Sequence, residues 1–235
     1  MVSSVQDLEN KLLNTDSLPA HSETLDILLS WGLAIREHQK YDRDTLAGPS
    51  SLMRFGVFTI LTQEFVTELY KELMRRRLAG LPILEICAGK GLLSHHLRKL
   101  GVELIAIDDY STDMPRNKEV VERLSHRQAL EKYSPRVVLG SWLPMQSQIG
   151  DDVLNSPTVD YFILIGEYPG GATWLRSSYQ HSDFKVYHLA NVSKYALGTS
   201  DYFHLKEGKW KLTRHTDVRL FKRNGAPMSI DHTVG

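Results

Sequence analysis

Short apolar runs and amphipathic stretches alternate along the chain from Leu81 onward. Apolar runs bounded by polar or small residues are typical of buried strands, whereas apolar residues at helical spacing indicate helices. The alternation predicts a mostly parallel sheet with helices between its strands. The predicted strands are Ile83–Ile86, Glu103–Ile107, Val120–Leu124, Arg136–Gly140, Tyr161–Ile165, Lys185–Leu189 and Val218–Lys222. The predicted helices are Gly91–Leu100, Arg127–Tyr133 and Ser147–Leu154, with a turn near Pro115–Lys118.

The part of the chain before Leu81 has a helical pattern without strand-like runs. Serine and threonine are preferred helix N-caps, and glycine commonly follows a helix end. We therefore predict a helical extension, residues 1–80, before a domain of residues 81–235. The predicted features are a short helix at Val5–Leu13, a helix capped by Ser22 that runs through Leu33, a loop at His38–Ser51, and a helix capped by Thr62 that Gly80 ends.

Amino-acid composition indicates a globular protein and bears on its partners, but it does not identify a function. Apolar residues make up 42% and charged residues 24% of the 235 residues, as in ordinary globular proteins. Lysine plus arginine and aspartate plus glutamate both number 28, and the resulting zero net charge argues against nucleic acid as a partner. The basic run at residues 75–77 lies at a predicted helix end, where cations favour the helix dipole.

Cysteine usage and hydropathy exclude further classes. The single cysteine, Cys87, permits no intramolecular disulfide and no cysteine-based zinc site, and no metal-ligand spacing occurs. No apolar run reaches the roughly 20 residues that a membrane span needs, and the amino terminus has no signal-peptide core. We expect a soluble cytoplasmic protein with no metal and no membrane partner.

The most informative segment, residues 82–109, contains the first predicted strand and the turn, helix and strand after it. The first strand ends in the small-residue turn Cys87–Gly91, a helix comes next, and a second apolar run leads into Asp108. Such a unit binds nucleotide cofactors, because small residues let the backbone approach the ligand closely. The dinucleotide fingerprint G-x-G-x-x-G is incomplete, since Ser94 stands at its third glycine. A glycine-rich turn in an unrelated α/β protein is the other interpretation.

The turn resembles the first motif of class I S-adenosylmethionine (SAM)-dependent methyltransferases, which reads acid-x-G-x-G-x-G. Glu85, Cys87, Gly89 and Gly91 fall on its four defined positions, with Cys87 in place of the first glycine. Asp108 falls about where the family keeps its ribose-binding acid, and the adjacent Asp109 is the alternative. The resemblance implies a Rossmann-like sheet of seven strands, mostly parallel, with an antiparallel last strand.

The resemblance also implies a set of site residues. After the third strand, Ser125-His126 falls where the family contacts adenine, although a solvent-facing loop histidine is an equal alternative. The implied cofactor-binding residues are Glu85, Cys87, Ala88, Gly89, Gly91, Asp108, Asp109, Ser125 and Ser141. Helices before the first strand commonly cover the pocket in this family. The segment Ser50–Phe58 is therefore either part of a lid, within residues 40–60, or an edge of the core.

The acceptor side is less clearly marked. Amine-directed members carry [ND]-P-P-[YFW] after the fourth strand, whereas this chain has Ser141-Trp142-Leu143-Pro144, which does not match. Trp142 either flanks the sulfonium or a substrate, or is a core residue. Glu167 ends the fifth strand before a glycine-rich loop and is the candidate general base, unless it accepts hydrogen bonds from that loop.

Together these features predict a SAM-dependent methyltransferase that acts on a small molecule or a protein. The alternative is a catalytically inactive SAM-binding module with a regulatory or interaction role, since Cys87 and the missing acceptor motif depart from the family pattern. A nicotinamide-dependent oxidoreductase is a third hypothesis, which the incomplete dinucleotide fingerprint disfavours.

Overall fold

A seven-stranded sheet forms the centre of the computed structural model, which describes residues 10, 17–36, 45–46, 57–77, 81–111, 120–145, 147–167 and 181–228. The strands are β1 Thr45–Leu46, β2 Ile83–Ile86, β3 Leu104–Asp108, β4 Val121–Arg123, β5 Val137–Ser141, β6 Tyr161–Glu167, β7 Phe184–His188, β8 Tyr202–Lys206, β9 Lys209–Thr213 and β10 Thr216–Arg223. The helices are α1 His21–Arg36, α2 Gln63–Met74, α3 Leu92–Lys99, α4 His126–Tyr133, α5 Ile149–Asn155 and α6 Ala190–Ser193.

The strand order of this sheet is β4-β3-β2-β5-β6-β10-β7. Its strands β2 to β6 pair in parallel, and β10 is antiparallel to both of its neighbours, β6 and β7. The predicted Rossmann-like fold is therefore confirmed, including the antiparallel last strand. All seven predicted strands are present, with ends shifted by at most two residues.

Helices cover both faces of the sheet, which explains why its central strands read as continuous apolar runs. All four residues of β2 are buried, and so are the first six residues of β6. One core cluster joins the sheet to α2, α3 and α6, and a second joins its other face to α4 and α5.

The two predicted caps before the first strand have different outcomes. Thr62 caps α2 as predicted, since its side chain accepts a hydrogen bond from the backbone N–H of Phe65. Ser22 does not cap α1, because the helix already begins at His21. The backbone N–H of His21 donates instead to the Glu64 carboxylate at 2.7 Å. A side chain from another helix thus satisfies a group that local sequence alone assigned to Ser22.

A second sheet, of three antiparallel strands in the order β1-β8-β9, was not predicted. Hairpin β8–β9 turns at Glu207 and Gly208, whose φ angles are both positive, as a two-residue hairpin turn requires. Strand β1 pairs with β8, so the segment before Leu81 is not purely helical. This sheet and α1 share a third core cluster.

Several predictions lie outside the described residues. They are the helix Val5–Leu13 apart from residue 10, most of the loop His38–Ser51, most of the segment Ser50–Phe58, Gly80, the turn Pro115–Lys118 and the glycine-rich loop after Glu167. Among the described residues, no helix has both the length and the hydropathy of a membrane span, and no group of three or more potential ligands could hold a metal ion.

Candidate cofactor site

A cavity of about 310 Å³ lies at the carboxyl ends of β2, β3 and β5. The chain leaves β2 in one direction toward β3 and β4 and returns on its other side with β5, so the cavity lies where the strand order reverses. Ligands of open α/β sheets bind at this position. The segment Val57–Leu61 also lines the cavity, through Val57, Phe58, Thr59 and Leu61.

Glu85 lines the cavity and is almost completely buried, with 1% of its surface exposed. The Ser94 hydroxyl donates a hydrogen bond to its carboxylate. Burial raises the pKa of Glu85 to about 7, although the Ser94 hydrogen bond and the charge of Arg98 act in the opposite direction. Glu85 therefore exchanges its proton near neutral pH rather than remaining ionised throughout.

The turn after β2 adopts a left-handed backbone at three positions. The φ angles are 54° at Cys87, 54° at Gly89 and 74° at Gly91. This conformation costs a non-glycine residue roughly 1 kcal/mol or more, and Cys87 bears that cost where the family motif has glycine. A Cβ on Gly91 would lie 2.6 Å from Val121 Cγ2, so close packing against β4 also requires glycine there.

The thiol of Cys87 is not suited to nucleophilic chemistry. Burial raises its pKa to about 12, and the neighbouring carboxylates of Asp108, Asp109 and Glu85 add to the effect. Since the thiolate is the reactive form, Cys87 contributes its small size and its backbone to the cavity wall.

Asp108 and Asp109 both line the cavity beside this turn. The Asp108 carboxylate accepts hydrogen bonds from the backbone N–H of Gly89 at 3.0 Å and from that of Tyr110 at 2.9 Å. Asp109 accepts one from the N–H of Ser111 at 2.9 Å. Asp108 thus ties the turn to the end of β3. Both acids remain candidates for contacts with ribose.

Four side chains from distant parts of the chain meet at the β5 side of the cavity. The Trp142 indole Nε1 donates to the Thr59 hydroxyl at 2.9 Å, and the Thr59 and Ser141 hydroxyls are 3.2 Å apart. The Phe58 ring stacks on the indole with 5.8 Å between ring centroids. Thr59 and Phe58 therefore fix the position of Trp142, which is half-buried and lines the cavity.

The structure brings most of the predicted residues together at this cavity. Glu85, Cys87, Ala88, Gly89, Asp108, Asp109 and Ser141 all line it. The remaining three do not. Gly91 packs against β4, and Ser125 forms a capping box at the start of α4. Glu167 ends β6 opposite Thr216 of β10, outside the cavity wall.

Thr59 and Lys90 also line the cavity but were not predicted as individual site residues, although Thr59 falls within the possible lid, residues 40–60. Thr59 contacts Trp142 across 83 positions of sequence, and no local pattern signals so distant a contact. Lys90 lies within the turn itself, so its position was available from the motif.

No protein-family model matches the chain, and no curated protein matches it in sequence. The solved structures that are similar to it include two methyltransferases. One is the 23S rRNA methyltransferase ErmE, at 15% identity and a TM-score of 0.39 over 74% of this chain and 72% of that one. The other is the CcbJ methyltransferase from Streptomyces caelestis, at 14% identity and a TM-score of 0.32 over 66% of this chain and 71% of that one.

The strand order, with β10 inserted antiparallel between β6 and β7, is the layout of class I methyltransferases. The chain has the class I methyltransferase fold, as its resemblance to the family predicted. The expectation that nucleic acid is an unlikely partner is corrected, since it rested on net charge alone, and ErmE, whose fold is similar, is itself a 23S rRNA methyltransferase. Net charge averages over a whole surface, so a value of zero does not exclude a local basic region.

Proposed function

We propose that the protein is a SAM-dependent methyltransferase whose cofactor binds in the cavity at the ends of β2, β3 and β5. The observation that carries the proposal is the convergence there of the Cys87–Gly91 turn with three carboxyl groups, those of Glu85, Asp108 and Asp109. The cavity volume, about 310 Å³, lies at the lower end of the range typical of small-molecule sites.

The charges on the cavity wall support SAM over a dinucleotide. Of the described lining residues, Lys90 is the one cation beside the three carboxyl groups. SAM carries a sulfonium and an ammonium group, which such a wall attracts, whereas the pyrophosphate of NAD would face carboxylates. Ser94 stands where the dinucleotide fingerprint needs its third glycine. Its hydroxyl instead donates a hydrogen bond to Glu85.

Individual residues have defined roles in this proposal. Asp108 or Asp109 accepts hydrogen bonds from the ribose hydroxyls, Glu85 lines the cavity, and the backbone of the turn contacts the amino-acid part of the cofactor. SAM, when bound, supplies a methyl group that its sulfonium already activates. The protein then has mainly to orient the acceptor and exclude water.

The acceptor side of the proposed site is the wall of Phe58, Thr59, Ser141 and Trp142. Glu167, which ends the strand next to β5, remains the proposed general base for an acceptor that must lose a proton. A small molecule, a protein or a nucleic acid is compatible with this proposal. Because residues 57–61 form one wall, we also propose that the extension, residues 1–80, covers the site of the domain after it.

One observation favours a second function, a SAM-binding module without transferase activity. Trp142 is held by the Thr59 hydroxyl and by stacking on Phe58, which narrows the acceptor side of the cavity. In such a module the same cofactor contacts would form, and no methyl group would be transferred.

Calorimetric titration with SAM, S-adenosylhomocysteine and NAD tests the proposal. We expect both adenosyl compounds to bind and NAD not to bind. Asp108→Ala or Asp109→Ala should weaken SAM binding by about 1.5–3 kcal/mol, because a hydrogen bond to a charged group is lost. The variant with the larger effect identifies the ribose ligand. Binding of NAD alone, or SAM binding that neither substitution alters, would refute the proposed site.

A further inference from the structure

A second cleft, of about 480 Å³, lies at the same edge of the sheet as the cofactor cavity. It is formed by the end of β7, by α6 and by the segment that leads into β10. The start of β10 also lines the cleft, and β6 lies between β10 and β5, where Ser141 and Trp142 begin the acceptor wall. At about 4.8 Å between neighbouring strands, the cleft lies roughly 10–14 Å from that wall.

Cationic side chains dominate the lining of this cleft. Lys194, Arg214 and Arg219 line it together with the histidines His188 and His215, and Asp217 is the one acidic residue among the described lining residues. Glu167 lies at its edge, opposite Thr216. The Asp217 carboxylate is already engaged by Arg219 at 2.5 Å and by His188 at 2.9 Å.

Lys194 and Arg214 differ from Arg219 in having no carboxylate partner among the described residues. Arg214 Nη1 donates to the backbone carbonyl of Lys194 at 2.6 Å, and Arg214 Nη2 lies 3.3 Å from His21 Nε2. These contacts hold the guanidinium in place without neutralising it. The Asp201 carboxylate also acts on the charge of Arg214, but it already accepts hydrogen bonds from the backbone N–H groups of His215 and Thr216.

Lys194 and Arg214 are both exposed to solvent, so their charges are accessible to an anionic ligand in the cleft. Arginine recognises phosphate through its planar fork of N–H groups, and lysine binds phosphate as a point charge. The Ser193 side chain, which also lines the cleft, is already hydrogen-bonded to the backbone of Val218. The anion would therefore contact mainly Lys194 and Arg214.

We propose that this cleft binds a phosphate group of the methyl acceptor, through Lys194 and Arg214, while the methylated part of the acceptor lies at the Trp142 wall. The proposal rests on the proposed function, because it assigns the cleft to the acceptor of that reaction. It predicts an extended, phosphate-bearing acceptor. The phosphate belongs either to a small phosphate monoester or to a polynucleotide, and the two sources differ in how binding depends on chain length and salt.

The test uses adenosine 5′-monophosphate and a fluorescein-labelled 12-nucleotide single-stranded RNA as probes, in the presence of saturating S-adenosylhomocysteine. Calorimetry measures the monophosphate, and fluorescence anisotropy measures the RNA at several salt concentrations. We compare the unmodified protein with the double variant Lys194→Gln/Arg214→Gln, with Arg214→Lys, and with Lys132→Gln as a control on α4, where that lysine pairs with Glu122.

We expect at least one probe to bind, and the double variant to bind it roughly tenfold or more weakly, since two phosphate contacts are lost. For RNA, the slope of log affinity against log salt should fall by about 1.4 when two contacts are removed. Arg214→Lys should give an intermediate loss, because it keeps the charge but not the fork. Lys132→Gln should bind as the unmodified protein does.

Tight binding of the RNA with a steep salt dependence would assign the phosphate to a polynucleotide, and comparable binding of the monophosphate would assign it to a small molecule. The proposal is overturned if neither probe binds, or if the double variant binds as well as the Lys132→Gln control. Titration of each variant with SAM separates the two proposals. Unchanged SAM affinity with lost phosphate binding supports both, whereas phosphate binding without SAM binding refutes the proposed function and leaves the cleft as a phosphate site.

Discussion

The raised pKa of Glu85 makes a quantitative prediction about stability. Its carboxyl group is buried at the end of a central strand, and its pKa is raised to about 7 from an ordinary value of 4.5. Replacing it by glutamine keeps the shape and the acceptor for the Ser94 hydroxyl but removes the ionisable group. The substitution therefore isolates the cost of burying a carboxylate.

Whether the free energy of unfolding rises or falls with pH depends on the pKa of Glu85 in the folded and in the unfolded protein. Below pH 4.5 the carboxyl group is protonated in both the folded and the unfolded protein, and its contribution to stability is fully present. Between pH 4.5 and 7 the folded state keeps a proton that the unfolded state has lost, so stability falls as the pH rises. Above pH 7 both states are ionised. The difference of about 2.5 pK units corresponds to about 3 kcal/mol of lost stability.

Urea unfolding of both proteins between about pH 4.5 and pH 8 measures the effect. As the pH rises across this interval, we expect the free energy of unfolding of Glu85→Gln to increase relative to that of the unmodified protein, by up to about 3 kcal/mol. Glu131→Gln, at an exposed position on α4, serves as the control and should behave as the unmodified protein does. A difference between Glu85→Gln and the unmodified protein that does not change with pH would refute the reasoning.

Three further predictions concern the turn and the proposed base. In urea unfolding, Gly91→Ala should destabilise the protein by roughly 2 kcal/mol more than Gly101→Ala. Both glycines have a positive φ, but only at Gly91 would an added Cβ overlap Val121. Equal losses of stability would show that this overlap is relieved without cost. Cys87→Gly should raise the free energy of unfolding by up to about 1 kcal/mol, since glycine adopts a φ of 54° without strain, and a clear loss of stability would mean that packing of the thiol outweighs that strain. Glu167→Gln should lower methyl transfer to any acceptor found by roughly 10²-fold without changing SAM affinity; unchanged turnover would remove Glu167 as the base.

The central sheet was predictable because burial on both faces leaves nearly continuous apolar runs in its central strands, β2, β5 and β6. Strand β2 is buried at every residue and apolar at all but Glu85, and its ends were predicted without error. The hairpin β8–β9 carried a weaker signal, in which the apolar residues Phe203 and Leu205 alternate with polar ones ahead of Gly208. A half-exposed strand has this pattern, which is easily overlooked between stronger elements.

In the candidate site, too, the features formed by local sequence were predictable, and those formed by contacts between distant residues were not. The turn after β2 and the acid after β3 come from one stretch of sequence, and the structure places both at the cavity. The contact of Thr59 with Trp142 depends on how residues 57–61 cross the sheet edge, held by the hydrogen bond from Ile60 N to the Leu197 carbonyl at 2.8 Å. That arrangement is tertiary, so single-sequence patterns do not encode it.

A crystal structure of the protein with S-adenosylhomocysteine tests the central claim most directly, because it shows where the ligand lies. We predict ligand density in the 310 Å³ cavity, with the ribose hydroxyls within hydrogen-bond distance of Asp108 or Asp109 and the sulfur beside Ser141 and Trp142. Ligand bound at another place, or an empty cavity in crystals grown at saturating ligand, would contradict it.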